Sequence, residues 1–322
     1  MLIYNKQQSL KKVVKINSCK GFSLIQMLIA IALSFSLFAL TMQWFFLTHA
    51  TYRKAFQKHI LEQKAVYSLQ RIVEDIQQAG FTGCRSFDSH LPVLDNTLSF
   101  QHILNLSVRQ PIIGRQASND SHCAAHFTAA VCQEALAKND ILRLQLVPEK
   151  VQAIAYPMKK NDVKELATYF TKDDSRKVWM IADCMQAEIF QPGLIAHLSK
   201  PYEKDAELMR TKVVVYYLKD TLRLQKDASS NLTAPVYGLF RHNLLSMGHP
   251  VEIASHVTDL HFRYGTKLSN GELVFYKHSA IPKEAGEVQL VEVTLKFRHE
   301  EYNLEQEITG VVVLRNRVRH KK

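Results

Sequence analysis

Between Lys20 and Arg53 the chain contains no aspartate, glutamate, lysine or arginine. A helix on the surface of a water-soluble domain carries charge on its outer face, so this absence excludes an ordinary amphipathic helix here. Glycine and proline are missing from Ala50 to Ala79, which excludes a tight turn and lets a helix run through. Acidic residues are missing before Phe22, where Lys6, Lys11, Lys12, Lys15 and Lys20 stand. The formal charge of +11, less these five lysines, leaves +6 for the remainder, and that mild excess does not demand a nucleic-acid partner. Catalytic signatures are missing too: there is no G-x-S-x-G elbow, phosphate loop or H-E-x-x-H pair. Internal repeats and low-complexity tracts are also absent.

The 322 residues suffice for one large or two small domains, and 47% hydrophobic with 22% charged residues excludes wholesale disorder. The uncharged run from Phe22 to Leu47 would rise roughly 39 Å as a helix at about 1.5 Å per residue, enough to cross a bilayer core of about 30 Å. Its lysine-rich flank predicts a cytoplasmic N-terminus. Arg53, Lys54 and Lys58 follow on the other side, so the asymmetry is moderate. A cleaved secretory signal fits less well, because the apolar run is long and the leader extended, although Thr48-His49-Ala50 loosely resembles a cut site. A plain signal anchor fits the hydropathy.

Beyond the apolar run, Ala65, Leu69, Ile72, Val73, Ile76 and Ala79 recur at three- and four-residue steps. They predict one apolar stripe facing a core, with Arg71, Glu74, Asp75 and Gln78 on the other side. Gly80 is the expected C-cap. Thr82 to Asn139 reads as irregular. Short strand-like runs follow: Leu142, Leu144 and Leu146; Lys177 to Cys184; TKVVVYYL and TLRLQ, read as a hairpin turning at Lys219-Asp220; Leu260, Phe262 and Tyr264; Val291 to Phe297; and Ile308 to Arg317. No βαβ rhythm appears, so the expected class is α+β, a long N-terminal helix packed on a predominantly antiparallel sheet.

Five cysteines occur: Cys19 in the leader, then Cys84, Cys123, Cys132 and Cys184. Four in an exported domain favour disulfides, with three connectivities open. His122, Cys123, His126 and Cys132 sit at short spacing, a set able to ligate zinc, but the spacing matches no standard knuckle. A Cys123–Cys132 bridge is the preferred reading, other pairings and a metal being the alternatives. A complementary Cys84–Cys184 bridge would pin the helix end to the sheet. No metal or cofactor is expected. The basic tail Arg315 to Lys322 could gain DNA affinity by counterion release. The preferred reading is a solvated strand edge whose charges discourage pairing. The fourteen histidines are scattered and suggest no role.

The stretch KGFSLIQMLIAIAL, Lys20 to Leu33, resembles the class III signal of type IV prepilins. The resemblance implies cleavage by a prepilin peptidase between Gly21 and Phe22, and N-methylation of Phe22. A glycine leaves the scissile backbone unobstructed. QQAGFTGCRS, WMIADCMQAEIFQ, VVVYYLKDTL, VTDLHFRYG and VVVLRNR, in this order, resemble landmarks of PilW-like minor pilins. That family implies residues 1–21 as leader, 22–47 as membrane half-helix, 48–80 as periplasmic half-helix and 81–322 as a β-rich periplasmic domain. It implies a non-enzymatic filament subunit serving adhesion or twitching motility. Its partners would be other minor pilins, the major pilin, the prepilin peptidase, the inner-membrane assembly platform and a tip adhesin. Type II secretion pseudopilins share the same N-terminus, and a signal-anchored periplasmic enzyme is the reading from another class. The chain departs from the pilin pattern at Gln26, the fifth residue from Phe22, where most pilins resemble one another in carrying Glu. Low-copy tolerance is one reading, and a place at the filament tip, with no earlier subunit's amine to meet, is the other.

Overall fold

The computed structural model describes residues 23–81, 93–95, 112–118, 123, 127–171, 177–183, 185–194, 197–227, 232–246, 248–268, 270–277 and 288–314. Helix α1 (Leu24–Gln78) runs unbroken for 55 residues, as the missing glycine and proline require. The chain divides into two units, one ending at Ala55 and the other beginning at Phe56. In the first, every described residue is exposed, Leu28, Phe35, Trp44 and Phe46 among them. Its helical serine and threonine side chains are satisfied locally. The hydroxyls of Ser34, Ser36, Thr41, Thr48 and Thr51 each donate to a carbonyl three or four residues back at 2.7–2.9 Å, which leaves the helix surface apolar. The segment is long and apolar enough to cross a membrane.

In the second unit, α1 buries Leu61, Ala65, Ile72, Ile76 and Ala79, the expected stripe extended by one turn, while Leu69 and Val73 are partly buried. Gly80 adopts φ 74° as the expected cap, and its N–H donates to the Gln145 carbonyl at 3.3 Å. One placement is corrected. Asp75, expected on the solvent side, is 3% exposed. It stands three residues after Ile72 and so falls on the buried stripe, where a basic partner neutralises it.

The first sheet joins β1 (Val93–Asp95), β2 (Ile112–Gln116), β3 (Asp140–Ala153), β4 (Trp179–Ala182), β5 (Ala187–Phe190), β6 (Glu207–Lys226), β7 (Thr233–Asn243) and β8 (Val251–Ser255). Its order is β1-β5-β4-β6-β3-β2, with β7 pairing β6 and β8. Only β1·β5 is parallel. Among the described residues, two short helices, α2 (Ala129–Glu134) and α3 (Val163–Ala167), interrupt the strands. The second sheet is antiparallel, in the order β10-β9-β11-β12, from β9 (Val257–Lys267), β10 (Leu273–Tyr276), β11 (Val288–His299) and β12 (Leu304–Val313). A 3-10 turn, Glu300–Tyr302, joins β11 to β12. Part of the stretch read as irregular thus holds β2 and α2, and the last strand begins four residues earlier than expected.

The hairpin expected at Lys219-Asp220 is not there. β6 continues through it, and the pairing jumps from Asp220↔Tyr237 to Arg223↔Val236. Thr221 and Leu222 form a bulge. Leu222 takes φ 60°, and its N–H bonds the Asp220 carboxylate at 2.8 Å. The aspartate makes a local turn that is absorbed within one strand, because β7 pairs with β6 on both sides of it.

One core packs the α1 stripe against Leu142, Leu144, Leu146, Val214, Tyr216 and Leu218 of the first sheet and against Leu260, Phe262, Val293, Leu295 and Phe297 of the second. The other face of β3 and β6 is covered too: Ile141, Val215 and Tyr217 pack with Phe127 and Val131. That double burial accounts for the continuous apolar run in β6. Two close contacts join the sheets. Asn139 and Asp140 side chains accept the Leu260 and Phe262 N–H groups of β9 at 2.8 Å each, and burial raises the Asp140 pKa. The Tyr264 ring lies against Gly114, where an added Cβ would stand 1.5 Å from the tyrosine oxygen. Gly114→Ala must therefore push the two sheets apart. A loss of about 1–3 kcal/mol in urea unfolding is expected, with full recovery on adding Tyr264→Phe excluded, because the ring carbon Cζ would still be 2.5 Å away.

Candidate functional site

The residues singled out in the sequence divide into those placed and those not. Gly21, Phe22, Cys84, Cys184, His122, His126 and the tail from Arg315 lie outside the described residues. Gln26 is placed in the first turn of α1 and is exposed. Its Oε1 accepts the Ser23 N–H at 3.3 Å, while the Ser23 carbonyl accepts the N–H groups of Gln26 and Met27 at 2.9 and 3.3 Å. Ser23 is thus the N-cap, and Gln26 reaches back to it as half of a capping box, the S-x-x-Q signature. Sequence reading weighed Gln26 only against a partner subunit and missed this local role.

Cys123 and Cys132 are joined in a disulfide, with Cα atoms 6.1 Å apart. Thr128 caps α2 by accepting the Val131 N–H, which turns Cys132 inward beside Phe127 and Val131. Both sulfurs are used in the bridge, so the pair offers no thiolates to zinc. No group of three or more His, Cys, Asp or Glu able to hold a metal occurs among the described residues.

The structure adds a polar anchor within the core. The Asp75 carboxylate accepts the Tyr216 hydroxyl at 2.6 Å and Arg241 Nε at 2.8 Å, and Arg71 lies 4.0 Å away. The donors come from α1, β6 and β7, so one carboxylate ties the helix to two strands. Burial first, and then the adjacent carboxylate, push the Tyr216 pKa up. Burial opposes the Arg241 charge, but Asp75 outweighs it and the pKa rises. A cleft of about 300 Å³ opens beside the pair, lined by Arg71, Gln78, Lys212 and Asn243 as well. The carboxylate is engaged by donors from two strands, so the arrangement is an anchor. Only the three-residue step from Ile72 to Asp75 could have pointed to it, and nothing in the sequence pointed to Arg241.

Two histidines left without a role in the sequence also meet. His256 and His299 stack with ring centroids 4.6 Å apart and planes 3° from parallel. Lys64 and Ser255 complete a cluster with them, Lys64 Nζ lying 2.8 Å from Ser255 Oγ. Burial, then the nearby Lys64, lowers the His256 pKa to about 4. Burial also lowers those of His299 and Lys64.

Truncating one partner of a buried charge pair strands the other. Asp75→Ala is expected to cost about 3–5 kcal/mol in urea unfolding, and adding Arg241→Met should recover much of it. Reducing the Cys123–Cys132 bridge, nine residues apart in sequence, should cost about 2–3 kcal/mol. Alkylation of both residues without prior reduction would count against the bridge.

The chain matches no family model, no curated protein and no solved structure.

Proposed function

We propose that this chain is a PilW-like minor pilin, a non-enzymatic subunit of a type IV pilus. One observation carries the reading. A single 55-residue helix combines an exposed run without charge and a buried apolar stripe on antiparallel sheet. A subunit that waits in a membrane and then joins a filament needs both. Its first half must be soluble in lipid, where every backbone group is bonded within the helix. Its second half must be fixed to the folded domain. The motif Lys20-Gly21-Phe22-Ser23 at the membrane edge supports cleavage after Gly21 by a prepilin peptidase. The protein would then stand as a single-pass inner-membrane protein with its C-terminal domain in the periplasm. Other minor pilins, the major pilin, the assembly platform and a tip adhesin would be its partners, with no cofactor.

Gln26 favours a place at the tip or in the initiating complex. In this reading a Glu there would neutralise the N-terminal amine of an earlier subunit. With no such subunit, a carboxylate in an apolar setting would have no partner, whereas Gln26 already caps its own helix. The same residue keeps a type II secretion pseudopilin as the second reading, since a tip pseudopilin is similar in lacking that Glu.

Mass spectrometry of the mature N-terminus tests the assignment. The expected product begins at N-methylated Phe22, and an intact Met1 or a start at Thr51 would overturn it. For the tip placement, Gln26→Glu is expected to leave pilus number unchanged or lower, and a clear rise in piliation would refute it.

A further inference from the structure

His256 is the single residue between β8 and β9, and so the point where the chain passes from the first sheet to the second. It takes φ 69°, a left-handed conformation tolerated by few side chains. Its N–H donates to the Tyr237 carbonyl of β7 at 2.8 Å, and its carbonyl accepts the Arg298 N–H of β11 at 2.9 Å. The crossing is therefore bonded to both sheets, and the His299 ring, at the end of β11, is stacked on it.

Polar groups surround the two rings. An ammonium can only donate, so Ser255 Oγ accepts from Lys64 at 2.8 Å. The same hydroxyl lies 3.0 Å from His256 Nδ1. On the other ring, the Gln225 amide nitrogen lies 2.9 Å from His299 Nδ1 and 3.1 Å from Nε2. A nitrogen nearly equidistant from both lies over the ring face, so the Gln225 amide packs on His299.

Charged groups surround the stack. Lys64 comes from α1, Arg223 from β6, and Glu252, from β8, is ion-paired to Arg223. The 3-10 turn brings Glu300, Glu301 and Tyr302. Glu300 is taken by Arg298 at 3.0 Å, Tyr302 packs on His299 with ring centroids 5.0 Å apart, and Glu301 alone among these favours a charge on His299.

We propose that the His256–His299 stack is an acid-sensitive clasp between the two sheets, closed while both rings are neutral and opened when they take up protons beside Lys64 and Arg223. Protonation would place two like charges face to face in rings whose centroids are 4.6 Å apart. The sign follows from linkage. His256 binds its proton less readily folded than unfolded, so between the unfolded value near 6.5 and the folded value of about 4 the unfolded chain holds more protons. The clasp's contribution is complete above about pH 6.5 and is lost as the pH falls toward 4. This inference does not depend on the pilin reading. It concerns any setting in which the domain meets acid.

The test uses the full chain in detergent micelles. Imidazole proton shifts of the wild type should titrate with midpoints below the ordinary value of about 6.5 for both rings. Amide exchange at His256 and Arg298, corrected for intrinsic rates, should speed up between pH 7.5 and pH 5. His256→Asn, which tolerates the left-handed backbone, combined with His299→Gln, which keeps a polar side chain beside Gln225, should flatten the pH dependence. Over the same interval the unfolding constant of the wild type should rise about tenfold more than that of the double variant, a figure discounted for partial exposure. Midpoints at or above 6.5, unchanged amide protection, or equal pH dependence in both proteins would each overturn the proposal. If the double variant does not fold, the two wild-type measurements decide.

Discussion

Both sheets bury the same stripe of α1, and the rest of the domain is arranged around that shared surface. Leu61, Ala65, Ile72, Ile76 and Ala79 meet leucines and valines of β3 and β6 on one side and the alternating apolar residues of β9 and β11 on the other. Each fully buried Leu or Ile contributes about 1.5–3 kcal/mol. Direct joints between the sheets are few: Tyr264 against Gly114, Asn139 and Asp140 on the β9 backbone, and the crossing at His256. Without the helix, β9 and β11 would expose Leu260, Phe262, Val293 and Leu295 to water. The helix is therefore the wall that lets two sheets behave as one core.

Two buried carboxylates of the domain are held by several donors each. Asp75 lies on the stripe and is held by Tyr216 and Arg241. Glu188, fully buried, accepts from the Ser199 N–H and hydroxyl and from the Tyr202 hydroxyl. These carboxylates cost desolvation energy, and their hydrogen bonds return it only in one geometry. Their effect is local: Asp75 fixes how α1 seats on β6 and β7, and Glu188 ties β5 to the segment of Ser199 and Tyr202. The His256–His299 pair differs, since its seating depends on the rings staying neutral.

A subunit handed from membrane to filament would be pulled through its helix. In the reading proposed, the domain must resist that load, and the Asp75 anchor is suited to it because one carboxylate on the helix engages strands β6 and β7 together. The apolar half needs no such anchor. Its serine and threonine hydroxyls bond back to their own helix, which makes the surface equally acceptable to lipid and to apolar neighbours.

Local pattern was enough wherever one element faces one environment. The uncharged run, the α1 stripe, the Gly80 cap and the alternation of β9 and β11 are all written in residue spacing, because periods of 3.6 and 2 follow from backbone geometry. What needed the tertiary structure were the long-range encounters. Asp75 looked like a surface residue until Arg241, 166 residues away, gave it a reason to be inside. Lys219-Asp220 looked like a turn until β7 was seen to pair on both sides of it. His256 and His299 looked scattered because sequence separation hides a stack formed where two sheets cross. The sequence alone determined the helix, the membrane-capable segment and the strand-rich remainder, since these are set by neighbours along the chain. The two-sheet topology, the buried charge pair and the histidine clasp were decided only by folding, since each depends on partners that the chain brings together from far apart.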